Sequence, residues 1–143
     1  MTCAEVMTPA PTACNPQHTA MDAAELMRRE DCGLLPVISE DGRKLIGVLT
    51  DRDIVLKVVA EGLDPRNTAV GDVMTTEVVT CLPQESVEMA MEQMATRQVR
   101  RIPIVDRDGS LAGIVSQADV ATRIASAQET GQVVQAISEP EIT

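Results

Sequence analysis

The sequence predicts an α+β fold of sandwich-like character: two β-α-β-β-α units packed on each other about an approximate twofold axis. The first observation is a repeat. Val6-Met7-Thr8 returns as Val73-Met74-Thr75, Pro16 as Pro83, Leu35-Pro36-Val37-Ile38 as Ile102-Pro103-Ile104-Val105, and Asp41-Gly42 as Asp108-Gly109, at a shift of 67 (74 − 7). The other two observations are a helical apolar stripe and an Asp-Gly hairpin signal, each present once in either copy. Neither copy is large enough to bury a good core alone, so the two must pack together, and function belongs where they meet.

Taken in order, each copy opens with a short β-like segment, Pro11 to Cys14 and Val78 to Leu82. A helix follows. Thr19 precedes Ala20, Ala23, Ala24 and Met27, and Ser86 precedes Val87, Ala90, Met91 and Met94, both at i, i+3, i+4, i+7 behind a residue suited to cap a helix. Methionine stripes can line ligand grooves, but packing between helices accounts for these more simply. Two strands come next, Leu34 to Ile38 with Leu45 to Leu49, and Ile102 to Val105 with Leu111 to Val115. The Asp-Gly pairs between them are hairpin turns. Pro36 and Pro103 cannot donate a ladder hydrogen bond, which places them at a strand start or on an edge. After the turn the repeat shift drops to 66 (113 − 47), because copy one carries an extra loop residue. A second helix opens at Thr50 and at Ser116, with apolar faces formed by Ile54, Val55, Val58 and Val59, and by Val120, Ala121 and Ile124. The expected boundaries are residues 1–62 for the first repeat, 63–67 for the linker, 68–125 for the second repeat and 126–143 for a tail with a short helix around Val133, Val134 and Ile137.

Composition limits what the chain does. With 44% apolar residues but no Phe, Tyr or Trp among 143, the core is aliphatic and thioether, and a bound ring would lie against aliphatic side chains. A net charge of −10 argues against a nucleic-acid or anionic-membrane surface. No stretch reaches the roughly 20 apolar residues of a membrane span, and the first residues lack the pattern of a signal peptide, so a cytoplasmic protein is expected. The four cysteines show no C-x-x-C spacing and His18 stands alone, so no metal site is expected. Cys14 and Cys81 hold equivalent repeat positions; buried reduced thiols are the simpler expectation, a redox pair the remoter one.

The motif that carries chemistry is Gly47-Val48-Leu49-Thr50-Asp51-Arg52-Asp53, repeated as Gly113-Ile114-Val115-Ser116-Gln117-Ala118-Asp119. It lies where a strand enters a helix. Free N–H groups and the positive end of the helix dipole stabilise a phosphate there, and the Asp one turn on accepts hydrogen bonds from a ribose diol. The same pattern is a capping box worth about 1 kcal/mol to any helix. Its duplication at one place in a repeat makes it a binding signal as well.

These residues resemble the tandem CBS domain, the family named for cystathionine β-synthase. The resemblance spans about Val6 to Ile124. It is carried by Val-Met-Thr opening each copy, by the Leu-Pro-Val-Ile and Arg-Arg-Ile-Pro-Ile-Val-Asp strands, and by the two Gly-h-h-[Thr/Ser]-x-x-Asp motifs, h being apolar. It implies a regulatory sensor that binds an adenosine-containing ligand (AMP, ADP, ATP, S-adenosylmethionine, sometimes NAD) in clefts between the copies, with no cofactor required. By that resemblance Thr50 and Ser116 meet phosphate and Asp53 and Asp119 hold ribose. Thr12 and Ala13 with Leu35 line the adenine of one cleft, and Val79 and Thr80 with Ile102 and Pro103 that of the other. Arg100 and Arg101 match the basic residues the family uses for phosphates, with Arg97 nearby; copy one has Gly33 and Leu34 at the equivalent positions. The family's habit of pairing modules into flat discs implies a homodimer.

The residues show no serine-histidine-acid set, metal cluster or Gly-rich phosphate loop, so an enzyme is not expected. The effector is then another chain or another copy of this one. An interaction scaffold whose motifs survive only as helix caps is the main alternative, and an enzyme using Asp51 and Asp53 a distant third.

Overall fold

The computed structural model describes residues 1–129. The elements run α1 (Cys3–Val6), β1 (Thr8–Pro9), α2 (Ala20–Glu30), β2 (Leu34–Ile38), β3 (Leu45–Thr50), α3 (Asp51–Ile54), α4 (Val70–Val73), α5 (Val87–Arg97), β4 (Arg101–Val105), β5 (Leu111–Ser116) and α6 (Gln117–Glu129). α3 continues as a π-helical stretch, Val55–Val59, and a 3₁₀ turn, Pro65–Asn67, lies in the linker.

Local chemistry accounts for these elements copy by copy. Thr19 caps α2 in a reciprocal box with Asp22, and Ser86 accepts from the Met89 N–H at the start of α5. Both helices end on a left-handed residue, Asp31 and Gln98. The buried stripes are Ala20, Ala23 and Met27, and Val87, Ala90 and Met94. β2 pairs with β3 and β4 with β5 in antiparallel ladders, closed by turns in which Gly42 and Gly109 take φ of 78° and 88°, a conformation glycine adopts without strain.

Pro36 and Pro103 sit in the middle of β2 and β4 rather than at their starts, on the side facing away from the ladder. There the Pro36 carbonyl accepts from the Cys14 N–H at 3.0 Å and the Pro103 carbonyl from the Cys81 N–H at 3.2 Å. The strands expected at Pro11 to Cys14 and Val78 to Leu82 are therefore reduced to single parallel bridges, Cys14 with Val37 and Cys81 with Ile104. A proline at that position removes the donor a longer parallel pairing would need.

Packing crosses the repeat boundary. α1, from the start of copy one, contributes Cys3 and Val6 to the core of copy two, among Cys81, Val87, Ala90, Met94, Ile102, Ile104, Val115 and Val120. α4, from the start of copy two, contributes Val70 and Val73 to the core of copy one. Backbone bonds hold the exchange in place: the Val87 N–H donates to the Met1 carbonyl and the Ala20 N–H to the Thr68 carbonyl. β1 then joins β5 of copy two, and Thr75 bridges Val48 of copy one.

The second helices differ from expectation. In copy one Val58 is fully buried, but Val55 and Val59 are 54% and 66% exposed. The helix gives way to π-turns after Ile54. In copy two Val120 is buried while Ala121 and Ile124 are exposed. α6 continues to Glu129, and the helix expected around Val133, Val134 and Ile137 lies outside the described residues. Among the described residues no helix is long and apolar enough to cross a membrane.

Candidate functional site

The exchanged segments decide how the Gly-bearing motifs are presented. Thr75 lies across β3 so closely that a Cβ on Gly47 would stand 2.8 Å from its carbonyl oxygen. Thr8 lies across β5 in the same way, 2.8 Å from a Cβ on Gly113. The Val-Met-Thr segment of one copy thus covers the strand that leads into the motif of the other. Each cleft is composite.

One composite cleft is a cavity of about 330 Å³, within the usual size range of small-molecule sites. Copy one supplies Thr8, Thr12, Leu34 and Pro36 to its wall, and copy two supplies Arg101, Ile114, Ser116 and Asp119. Thr12 donates to Glu30, which also lines the cavity. The Ser116 hydroxyl accepts from the Asp119 N–H at 3.0 Å and so marks the start of α6. Among the described residues the Asp119 carboxylate has no hydrogen-bond or ion-pair partner, leaving it open to a donor from outside.

Asp53, its repeat equivalent, is 8% exposed and fully engaged. Its carboxylate accepts from the Thr50 N–H at 3.1 Å and from the Thr75 hydroxyl at 3.1 Å, and pairs with the Lys57 ammonium at 3.1 Å. Lys57 also donates to the Val73 carbonyl at 3.0 Å. The Thr50 hydroxyl accepts from the Asp53 N–H, completing a capping box.

A second cavity, of about 620 Å³, lies between the starts of β2 and β4. Gly33, Leu34, Thr50, Asp51 and Arg52 of copy one face Val99, Arg100 and Arg101 of copy two across it. No ion pair occupies Arg52, Arg100 or Arg101 among the described residues, so three guanidinium groups border one space. Cys32, Leu34 and Arg101 line both cavities, which therefore adjoin.

Of the residues expected at a site, the smaller cavity brings together Thr12, Arg101, Ser116 and Asp119, and the larger one Thr50, Arg100 and Arg101. Ala13, Leu35, Asp53, Val79, Thr80, Ile102 and Pro103 line neither. The side chains of Leu35 and Ile102 belong to the cores, and Val79 packs against that of copy two. Sequence reasoning passed over Thr8, Thr75 and Lys57. Thr8 and Thr75 were visible as repeat markers without an assigned role, and Lys57 stands four residues after Asp53.

Cys14 and Cys81 are in separate cores, and Cys81 lies beside Cys3. All four cysteines are free. His18 Nδ1 accepts from the Asn15 N–H, and no group of three or more His, Cys, Asp or Glu among the described residues could hold a metal ion.

Two repeats that exchange their opening segments and build clefts across the boundary define a paired-repeat module. The CBS domain family model matches residues 3–60 and 70–126, and the chain belongs to that family as a tandem pair. It is 39% identical over 138 residues to the CBS domain-containing protein YhcV of Bacillus subtilis, covering 96% of each chain. It is 36% identical over 123 residues to hypoxic response protein 1 of Mycobacterium tuberculosis, covering 86% of this chain and 85% of that one. The crystal structure of the latter with two coordinated zinc ions superposes with a TM-score of 0.78 at 35% identity, over 85% of this chain and 98% of that chain. CBSX2 in complex with AMP superposes with a TM-score of 0.76 at 27% identity, over 89% of this chain and 98% of that chain; CBSX2 is from Arabidopsis thaliana.

Proposed function

We propose that the chain is a regulatory sensor that binds an adenosine nucleotide in the cleft between Thr12 and the Ser116-to-Asp119 turn, and that occupancy is read by another protein. The observation that carries this is the unpartnered Asp119 carboxylate one helical turn from Ser116, in a cavity of suitable size walled by both repeats. Ribose hydroxyls donate to Asp119, while the α-phosphate takes the Ser116 side of the turn and the Arg101 guanidinium. Leu34, Pro36 and Ile114 provide the aliphatic walls an adenine needs in a chain without aromatic residues. The AMP complex of CBSX2 supports the ligand class. Phosphates beyond the first point toward the adjoining cavity, where Arg52 and Arg100 stand, so ADP and ATP belong to the same reading as AMP.

Calorimetry tests it. Asp119→Ala removes a charged acceptor and should weaken AMP roughly tenfold to a hundredfold, about 1.5–3 kcal/mol. Asp53→Ala should leave AMP affinity unchanged. Arg100→Ala with Arg101→Ala should weaken ATP more than AMP. If folded wild type binds no adenine nucleotide, or Asp119→Ala binds as wild type does, the motifs act only as helix caps and the scaffold reading replaces this one. Because the chain has no Phe, Tyr or Trp, co-purified adenine would dominate a plain ultraviolet spectrum.

A further inference from the structure

The two motif aspartates are equivalent in sequence and opposite in state. We infer that Lys57 and Thr75 form an internal latch that occupies Asp53, and that these two residues set the module's capacity at one nucleotide per chain. This rests on the nucleotide-binding reading above.

The ribose diol that Asp119 is free to accept has two donors. At Asp53 two internal donors are already in place, the Thr75 hydroxyl at 3.1 Å from both carboxylate oxygens and the Lys57 ammonium at 3.1 Å. A ligand there would exchange one set of hydrogen bonds for another and gain nothing net, and it would strip the carboxylate of a cation. The side chain of Lys57 is 45% exposed, so its attraction to Asp53 is screened and modest by itself. Its second bond, to the Val73 carbonyl, fixes the ammonium against α4. Thr75 is held by paired backbone bonds with Val48, 2.9 and 2.8 Å long. Both donors are therefore preorganised.

The motif of copy two has the same parts around it without the latch. Thr8 stands at the position of Thr75 (8 + 67 = 75), and Arg123 at that of Lys57 (57 + 66 = 123). Neither bonds to Asp119 among the described residues. The helices also differ: Lys57 lies inside the π-helical stretch Val55–Val59, whereas α6 is α-helical from Gln117 to Glu129. Lys57 reaches Asp53 from four residues on, whereas Arg123, at the same spacing, makes no ion pair with Asp119 among the described residues. The asymmetry is a property of this chain's own residues.

The test is the stoichiometry of AMP binding by calorimetry, with circular dichroism to verify folding. Wild type is expected to bind one AMP per chain, and Asp119→Asn to abolish it. Lys57→Met combined with Thr75→Val is expected to bind two, and adding Asp53→Asn to return the count to one. Lys57→Met alone, at a half-exposed position, serves should the double variant not fold, and its second site is expected to be weaker. Two sites in wild type, one of them lost with Asp53→Asn, would overturn the inference. So would a folded unlatched variant that still binds one. In both cases nucleotide binding itself would stand, whereas no binding by any form would remove the proposed function and the latch with it.

Discussion

Burial pushes the thiols of Cys14 and Cys81 up to about 11, and burial followed by the charge of Glu85 raises that of Cys3. A raised thiol pKa keeps the sulfur protonated at neutral pH, and the thiol is a poor nucleophile compared with the thiolate. Cys32 differs: it is only partly buried and lines both cavities. A thiol reagent at neutral pH should therefore label one cysteine quickly in the native protein and all four after denaturation. Saturating AMP should slow that one reaction. Fast labelling of two or more thiols in the folded chain, or a rate indifferent to bound nucleotide, would contradict the placement of Cys32 on the cleft wall. The same scale explains why one motif is open and its twin closed: Asp53 and Asp119 sit in near-identical sequence, and the difference lies in what Lys57 and Thr75 do three-dimensionally.

Among the elements, the glycine of each motif has a structural cause that no phosphate is needed to explain. A Cβ on Gly47 would stand 2.8 Å from the Thr75 carbonyl oxygen; one on Gly113 would meet the Thr8 carbonyl at 2.8 Å and the Met7 sulfur at 2.6 Å. Sulfur at the end of a flexible side chain can move, but the backbone carbonyls belong to the exchanged segments and are fixed by their pairing. Gly47→Ala and Gly113→Ala should each destabilise the fold by about 1–3 kcal/mol, read from urea unfolding midpoints. Unchanged midpoints would mean the exchanged segments do not press on these strands. Much of this layer was legible in the sequence. The hairpins follow from Asp-Gly turns between apolar runs, and the first helices from Thr19 and Ser86 ahead of a 3.6-residue stripe. The exchange of α1 and α4 was not legible, because Val-Met-Thr has the same local preference whichever copy it packs on. The π-turns after Ile54 escaped for a related reason: Ile54, Val55, Val58 and Val59 fit an α-helical period, and the helix that forms does not keep it. The candidate site was legible as a list of residue types, but Ser116 and Asp119 separate from Thr50 and Asp53 only once the cross-repeat partners are known.

At the scale of the whole molecule, the exchange makes the two repeats one cooperative unit, yet an apolar face stays uncovered. Val55, Leu56 and Val59 are 54%, 46% and 66% exposed on one short helical stretch, with Leu63 exposed just beyond it. In copy two Ile124 is exposed on α6, the corresponding helix. A chain with net charge −10 has ample polar surface, so large aliphatic side chains gathered on its second helices call for a covering partner. A second copy is the occupant that the homodimer expectation names. The contact would be isologous, each chain presenting the same patch. Light scattering at micromolar concentration should give twice the chain mass for wild type. Leu56→Glu with Val59→Glu places like charges on both sides of the contact and should give the mass of a single chain. The variant should keep its fold, since neither side chain is buried in the core. It should also keep its AMP affinity, because the cleft at Ser116 and Asp119 is complete within one chain. A wild type that is monomeric with and without nucleotide, or a charged variant that still dimerises, would show that another surface or another protein uses this face.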